Sequence, residues 1–471
     1  MTLINNVKWV SFSQITKVSC QVVGLFVFSR FLSPSELGVM SLTLIVVNFI
    51  NIIRDMGSSA AIIQRDCLTE GLKNSIFVLN SVLGIVLCIL TILFSQKIAI
   101  FFHEPILAQT LKIISIAFVI NSVTSAHLAL LERDSKFNRV AFVEVISSLI
   151  SLAIAIIFAA NGFGVFSLVI QTLLYAIFTA LGFWISSNWI PRLRFNVSDI
   201  KSIFRFSSNL VAFNFLNYFS RNSDQIIIGR FFSSATLGQY SLAYRLMLFP
   251  IQNITFVLTR SLYPILSRSQ SDDKGSFNIY IQTLRVISII IPPLMLGLAI
   301  VSHEFVLVFL GEKWFLVSTL LMWLAPVAIM QSMVSTTGSV FMARAKTNIL
   351  LYISIYNAFL QIGAFIIGGF YDINTLVILY LIANVLMFFP NMYLAIRVLK
   401  GNYLIFLKVI AKPIIFSLVM VSVIFIYSLL ISNLSISVIV IFITKILVGA
   451  VVYITCLFIW ERDIIFKLLK R

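Results

Sequence analysis

The chain has 471 residues, of which 60% are hydrophobic and only 11% are charged. Soluble domains are usually about 45–50% apolar and about 25% charged. The composition therefore excludes an ordinary soluble domain, and it excludes disorder, which needs low hydrophobicity. The net charge of +17 would raise the question of nucleic acid in a soluble protein, but here the position of each charge decides its meaning.

A bilayer core needs about 20 apolar residues per helix. In chain order the apolar runs predict fourteen spans, at 7–32, 37–62, 74–94, 107–131, 140–160, 164–187, 206–231, 237–259, 279–303, 316–342, 349–369, 374–396, 408–431 and 436–459. Their connections are short, so no soluble domain is inserted. The first run is long, carries Lys17 and lacks a small-residue cleavage site, so no cleavable signal peptide is expected. With both termini in the cytoplasm, the inner segments carry 23 basic residues and the outer segments only Lys97 and Lys313. That bias obeys the positive-inside rule. It accounts for most of the net charge without nucleic acid.

The sequence also contains a duplication. Residues 30–42 read RFLSPSELGVMSL and residues 230–242 read RFFSSATLGQYSL, with seven of 13 positions identical at a constant offset of 200. Six helices separate the copies, so the two halves share one orientation. Transporters use such parallel repeats to place a substrate path between two lobes. The expected fold class is an all-α polytopic membrane protein. It has an N-lobe (1–200, helices 1–6), a C-lobe (201–400, helices 7–12) and a last part with helices 13 and 14 and a cytoplasmic tail (401–471).

Charges inside spans are costly and mark function. In span 7, Asn214, Asn217, Arg221 and Asp224 follow steps of three, four and three, which puts them on one helix face. Gln14, Lys17 and Gln21 take the first three of these positions in span 1, at the same offset. Asn48, Asn51 and Asp55 make a similar stripe in span 2, and Arg245 begins a weaker one in span 8 with Gln252 and Thr255. Arg54 lies beside Asp55. These stripes predict a polar, net-positive cleft; the competing reading of Arg221 and Asp224 is a structural ion pair. Glu144 and Arg285, near inner ends, are assigned to gate or lobe contacts. Arg30, Arg230, Lys112 and Lys445 are assigned to anchoring at span ends, Lys445 at an inner end. His127 is assigned a hydrogen-bonded structural place ahead of a proton relay. Gly24, Gly84, Gly182 and Gly363 are expected at close helix contacts. Pro250, Pro292, Pro293, Pro326 and Pro390 are expected to bend their helices.

Cys20, Cys67, Cys88 and Cys456 show no disulfide or zinc spacing, and His103, His127 and His303 show no metal spacing. There is no Walker A sequence and no long outer loop bearing polymerase chemistry. No catalytic residue, metal site or cofactor is therefore expected. Coupling to a proton gradient, a sodium gradient or the membrane potential stays open.

SRFLSPSELGVMSL (29–42), RDMGSSAAIIQR (54–65), SDQIIIGRFFSSATLGQYSLAYRL (223–246), FLGEKW (309–314) and FMARAK (341–346) carry a resemblance to a known family. The chain resembles the polysaccharide-transporter branch of the multidrug/oligosaccharidyl-lipid/polysaccharide (MOP) superfamily, the Wzx-like flippases for O-antigen, capsule and colanic acid units. The resemblance implies a two-lobe transporter of the bacterial inner membrane. It implies a substrate, an undecaprenyl-diphosphate-linked oligosaccharide, moved from the cytoplasmic to the periplasmic leaflet, with other polysaccharide assembly proteins as candidate partners. It implies a cationic cavity, a role carried here to Lys17, Arg54, Arg221 and Arg245. Asp55 and Asp224 would be charge partners or ion-coupling groups, and Gln14, Gln21, Asn48, Asn51, Asn214 and Asn217 would bond sugar hydroxyls. Rival readings are a drug or metabolite antiporter of the same superfamily, a membrane-embedded polysaccharide polymerase or ligase, and a scaffold subunit.

Overall fold

In a computed structural model, residues 3–55, 62, 68–196, 215, 218–219, 221–270, 272–432 and 436–460 are described. Among them all regular structure is helical. Hydrocarbon offers no partner to backbone N–H and C=O groups, so the chain satisfies them within each segment. Among the described residues, thirteen helices or broken helices are long and apolar enough to span a bilayer. They match the predicted spans except the seventh, much of which lies outside the described residues.

The chain divides into two compact units, Met1–Gly238 and Gln239–Arg471. The first contains α1 (Leu3–Phe31), α2 (Pro34–Asp55), α3 (Glu70–Phe102), α4 (Pro105–Ile114), α5 (Ile116–Arg133), α6 (Phe137–Ala160) and α7 (Val165–Ser187), then a helical stretch over 221–231. α4 and α5 form one span broken at Ser115. The core of this unit joins Cys20 and Phe28 of α1 and Leu32 just beyond it to Met40 and Val47 of α2 and to Leu152, Ala155 and Val169 of α6 and α7.

α8 (Ser234–Pro250) leads into the second unit. Pro250 ends its regular geometry, and a π-helical turn, Ile251–Thr255, precedes α9 (Phe256–Arg268). There follow α10 (Asp273–Ile300), α11 (Ser302–Phe305), α12 (Phe315–Val334), α13 (Thr337–Ala343), α14 (Thr347–Gly369), α15 (Ile373–Val398), α16 (Tyr403–Ile431) and α17 (Val438–Trp460). Pro292, Pro293, Pro326 and Pro390 lie inside continuous helices, so of the expected proline sites only Pro250 interrupts its helix. Partly buried amides cross-link this unit: Gln331 Nε2 donates to Tyr380 Oη at 2.6 Å, and Asn391 Nδ2 donates to Asn357 Oδ1 at 2.9 Å. Such bonds fasten membrane helices where apolar packing alone gains little over lipid contact.

The duplicated sequence makes duplicated backbone. The Leu32 N–H donates to Phe28 O at 2.8 Å and the Phe232 N–H to Ile228 O at 2.9 Å. Ser33 Oγ then caps α2 by accepting the Glu36 N–H, while Glu36 Oε2 accepts the Ser33 N–H at 2.7 Å, a reciprocal capping box. Ser233 Oγ accepts the Thr236 N–H in the same way. The two capped ends meet inside the first unit. Ser35 Oγ lies 2.8 Å from Ser234 Oγ, and the backbones approach so closely that only glycine fits at Gly38 and Gly238. Gly84 and Gly182 serve close approach as expected, to Ser122 and Val143. Gly363 does not, since a Cβ there meets nothing within 4 Å.

Candidate functional site

On α1 one face is packed and another is left open. Ser13, Cys20, Gly24 and Phe28 are buried, with the Gly24 Cβ position 3.4 Å from Leu152 of α6. Gln14 and Gln21 are exposed and Lys17 is half-buried between the two faces. Polar side chains that find no partner in hydrocarbon are costly there, so a spanning helix that leaves them open faces water or polar space.

Lys17 turns sideways. Its Nζ lies 2.8 Å from Glu144 Oε2 on α6, and the same oxygen accepts the Ser13 hydroxyl at 2.6 Å. The pair keeps 29% and 21% of its side-chain surfaces exposed, so it is only partly withdrawn from its surroundings. Glu132 and Tyr175 are within electrostatic reach of Glu144. Glu144 was expected to make a gate or lobe contact near an inner end; the structure makes it the counter-ion of Lys17.

On α2, Asn48 is exposed, and Asn51 and Arg54 are half-buried. Asn51 Oδ1 is buried without a hydrogen-bond partner among the described residues. Asp55 ends the helix, and its side chain lies outside the described residues, as do Asn214 and Asn217. Arg221 is exposed, whereas Asp224 is buried and its Oδ1 accepts the Gln225 N–H at 2.7 Å. In the second unit, Arg245 of α8 and Gln252 of the π-turn are exposed, and Thr255 is buried.

An aromatic cluster stands beside the α2 stripe. Phe49 packs against Phe215 at 5.3 Å, Phe219 at 5.2 Å and Tyr218 at 6.0 Å, and the Tyr218 hydroxyl donates to Ile45 O at 2.6 Å. The polar pattern of span 7 did not include these residues. Their own spacing, i, i+3 and i+4, was a helix-face signal.

Other charges have structural partners. Arg230 donates to the His103 ring, 2.7 Å from Nδ1, and lies 5.1 Å from the centre of the Phe101 ring, so it is held by more than snorkelling. Lys445 does not anchor at a span end as expected: it is buried within the second unit, 2.6 Å from Glu304 Oε1. His127 is buried, with Nδ1 2.7 Å from Ser187 Oγ and its ring 4.4 Å from that of Trp184.

Fold and sequence together define a multi-pass membrane protein of the transporter type. The fold matches a lipid II flippase, MurJ, with TM-score 0.76 and 18% identity, covering 96% of this chain and 99% of that one. It also matches a multidrug resistance MATE family transporter of the MOP superfamily, with TM-score 0.57 and 15% identity over 83% of this chain and 96% of that one. The chain belongs to the polysaccharide biosynthesis protein family, whose model matches residues 27–319. The lipopolysaccharide biosynthesis protein WzxC of Escherichia coli (strain K12) is 28% identical over 376 residues, 78% of this chain and 75% of that protein.

Proposed function

We propose that this protein is a flippase of the bacterial inner membrane, with both termini in the cytoplasm. It moves an undecaprenyl-diphosphate-linked oligosaccharide of O-antigen, capsule or exopolysaccharide from the cytoplasmic to the periplasmic leaflet by alternating access, without enzymatic chemistry. The observation that carries this reading is the open polar face of α1, where Gln14 and Gln21 stand exposed on a membrane-spanning helix beside the half-buried Lys17. Membership of a polysaccharide biosynthesis family and the fold shared with a lipid II flippase support it.

A diphosphate does not cross hydrocarbon unaided, and fixed cations offset its desolvation. Lys17, Arg54, Arg221 and Arg245 supply these cations in a cationic cavity, and Gln14, Gln21, Asn48, Asn51, Asn214 and Asn217 bond sugar hydroxyls. The diphosphate competes with Glu144 for Lys17, so binding substrate releases a carboxylate that is otherwise paired. Asp55, Asp224 and the released Glu144 are the groups through which a cation gradient couples to the cycle. An inside-negative potential also favours outward movement of the anion, by about 2.3 kcal/mol per charge per 100 mV. The basic residues disfavour a drug antiporter, which would need a more acidic or aromatic cavity for cations.

The test uses a host that lacks its own flippase and makes a defined lipid-linked unit, and it measures which leaflet the unit occupies. Wild type restores periplasmic exposure, and Arg221→Ala and Lys17→Ala, stably expressed, lose most of it. Restoration by wild type and both variants removes the cationic-cavity mechanism. Restoration by none, with several lipid-linked units tried, removes the flippase reading.

A further inference from the structure

The two most exposed large apolar side chains among the described residues lie three positions apart in sequence and outside any helix. Leu193 is 88% exposed and Ile190 is 83% exposed. They belong to the segment 188–196, NWIPRLRFN, which follows α7 directly. Asn188 adopts a left-handed conformation (φ 52°) that ends α7 and turns the chain across the helix ends.

The segment is held by its backbone. The Arg192 N–H donates to Asn74 Oδ1 at 2.7 Å and the Asn196 N–H to Ser75 Oγ at 3.0 Å, both acceptors lying in the second turn of α3. Between them the Arg194 N–H donates to Arg192 O at 2.7 Å, a three-residue turn with Leu193 at its apex. Trp189 anchors the start. Its ring packs 5.2 Å from His127 and 6.1 Å from Phe77, and its Nε1 donates to Glu70 Oε2 at 3.2 Å. A well-fixed backbone therefore turns Ile190, Leu193 and Phe195 outward, with Arg192 and Arg194 exposed between them.

Water is a poor environment for that apolar set, and the hydrocarbon core is a poor one for the arginines. The headgroup boundary suits both. The segment follows directly on the end of a membrane-spanning helix, which sets it at that boundary, and Ile185 in the last turn of α7 is already 77% exposed. Interfacial segments of this kind place apolar groups below the phosphates and Lys or Arg among them.

We propose that residues 189–195 form a docking strap for the anionic bilayer surface. Ile190, Leu193 and Phe195 enter the leaflet, and Arg192 and Arg194 pair with lipid phosphates. The strap ties leaflet charge to the ends of α3 and α7, independently of the transported substrate.

The test places an environment-sensitive fluorophore at Leu193→Cys in the full-length chain with its four native cysteines replaced, reconstituted in phosphatidylcholine nanodiscs with and without phosphatidylglycerol. The probe is expected to be quenched by a doxyl group placed near the lipid headgroups and protected from aqueous iodide, more so with phosphatidylglycerol. Arg192→Gln and Arg194→Gln each raise the phosphatidylglycerol fraction needed for half-maximal quenching by roughly five-fold. These side chains are exposed, so elution profile and thermal stability stay those of the parent. Iodide access without doxyl quenching in both lipids overturns the strap. Doxyl quenching that is indifferent to phosphatidylglycerol and to the arginines overturns the anionic recognition. Protection produced in neutral nanodiscs by inorganic pyrophosphate reassigns the arginines to a diphosphate ligand and also overturns it.

Discussion

Replacing Gly38 by alanine tests the most tightly constrained contact in the first unit. A Cβ there would stand 1.8 Å from the Ser234 carbonyl oxygen and 2.6 Å from its carbon. The reciprocal Cβ on Gly238 would stand 1.9 Å from the Pro34 oxygen. Real Cβ atoms essentially never come within 3.0 Å of such an atom, and a backbone carbonyl cannot rotate aside as a side chain can. The capped ends of α2 and α8 must therefore part by more than 1 Å, with loss of the 2.8 Å Ser35–Ser234 hydrogen bond. Overpacking of this kind costs about 1–3 kcal/mol. Because one separation makes room for both methyl groups, the double variant should cost about as much as either single one, a coupling of about 1–3 kcal/mol. Thermal unfolding of the detergent-solubilised protein, followed by size-exclusion retention, measures the cycle. Gly363→Ala is the control: it lies within α14, its Cβ meets nothing within 4 Å, and it should stabilise by about 0.5–1 kcal/mol through helix propensity. If Gly38→Ala melts with Gly363→Ala, or if the Gly38 and Gly238 costs simply add, the steric reasoning is wrong.

Lys445→Ala should destabilise by about 3–5 kcal/mol in the same assay, because it leaves Glu304 buried and uncompensated; Lys445→Leu with Glu304→Leu should recover most of that loss. The partly exposed Lys17–Glu144 pair should show a coupling of no more than about 1 kcal/mol in a stability double-mutant cycle. In the leaflet assay, Lys17→Ala should lose far more flipping than that stability change explains, and parallel small losses in both assays would count against a substrate role. Asp372 caps α15, accepting the Asn374 and Thr375 N–H groups, and its carboxyl is held below the usual carboxylate range chiefly by the Thr375 hydroxyl. Its stabilisation should be complete above the ordinary carboxylate pKa and fade as pH falls through the lowered value. Asp372→Asn should keep the cap and flatten that acid dependence, and Asp372→Ala should cost about 1 kcal/mol at neutral pH.

The spans were legible because membrane helix formation is a local matter. Apolar length must match bilayer thickness and each segment must close its own hydrogen bonds. The repeated hairpin at 30–42 and 230–242 was legible for the same reason, since Ser33 and Ser233 act on residues three positions away. The polar stripe on α1 followed from period alone, and Gln14 and Gln21 do stand open.

What the sequence did not determine was which residue each intramembrane charge meets. Lys17 finds Glu144 across 127 positions, Arg230 finds His103 across 127, and Lys445 finds Glu304 across 141. Those meetings depend on how each helix is rotated about its axis and which neighbour it packs on, and a helix of nearly uniform hydrophobicity carries little record of either. The Gly38–Gly238 approach and the outward turn of Leu193 belong to the same class. Local chemistry allowed both, and the packing of distant segments selected them.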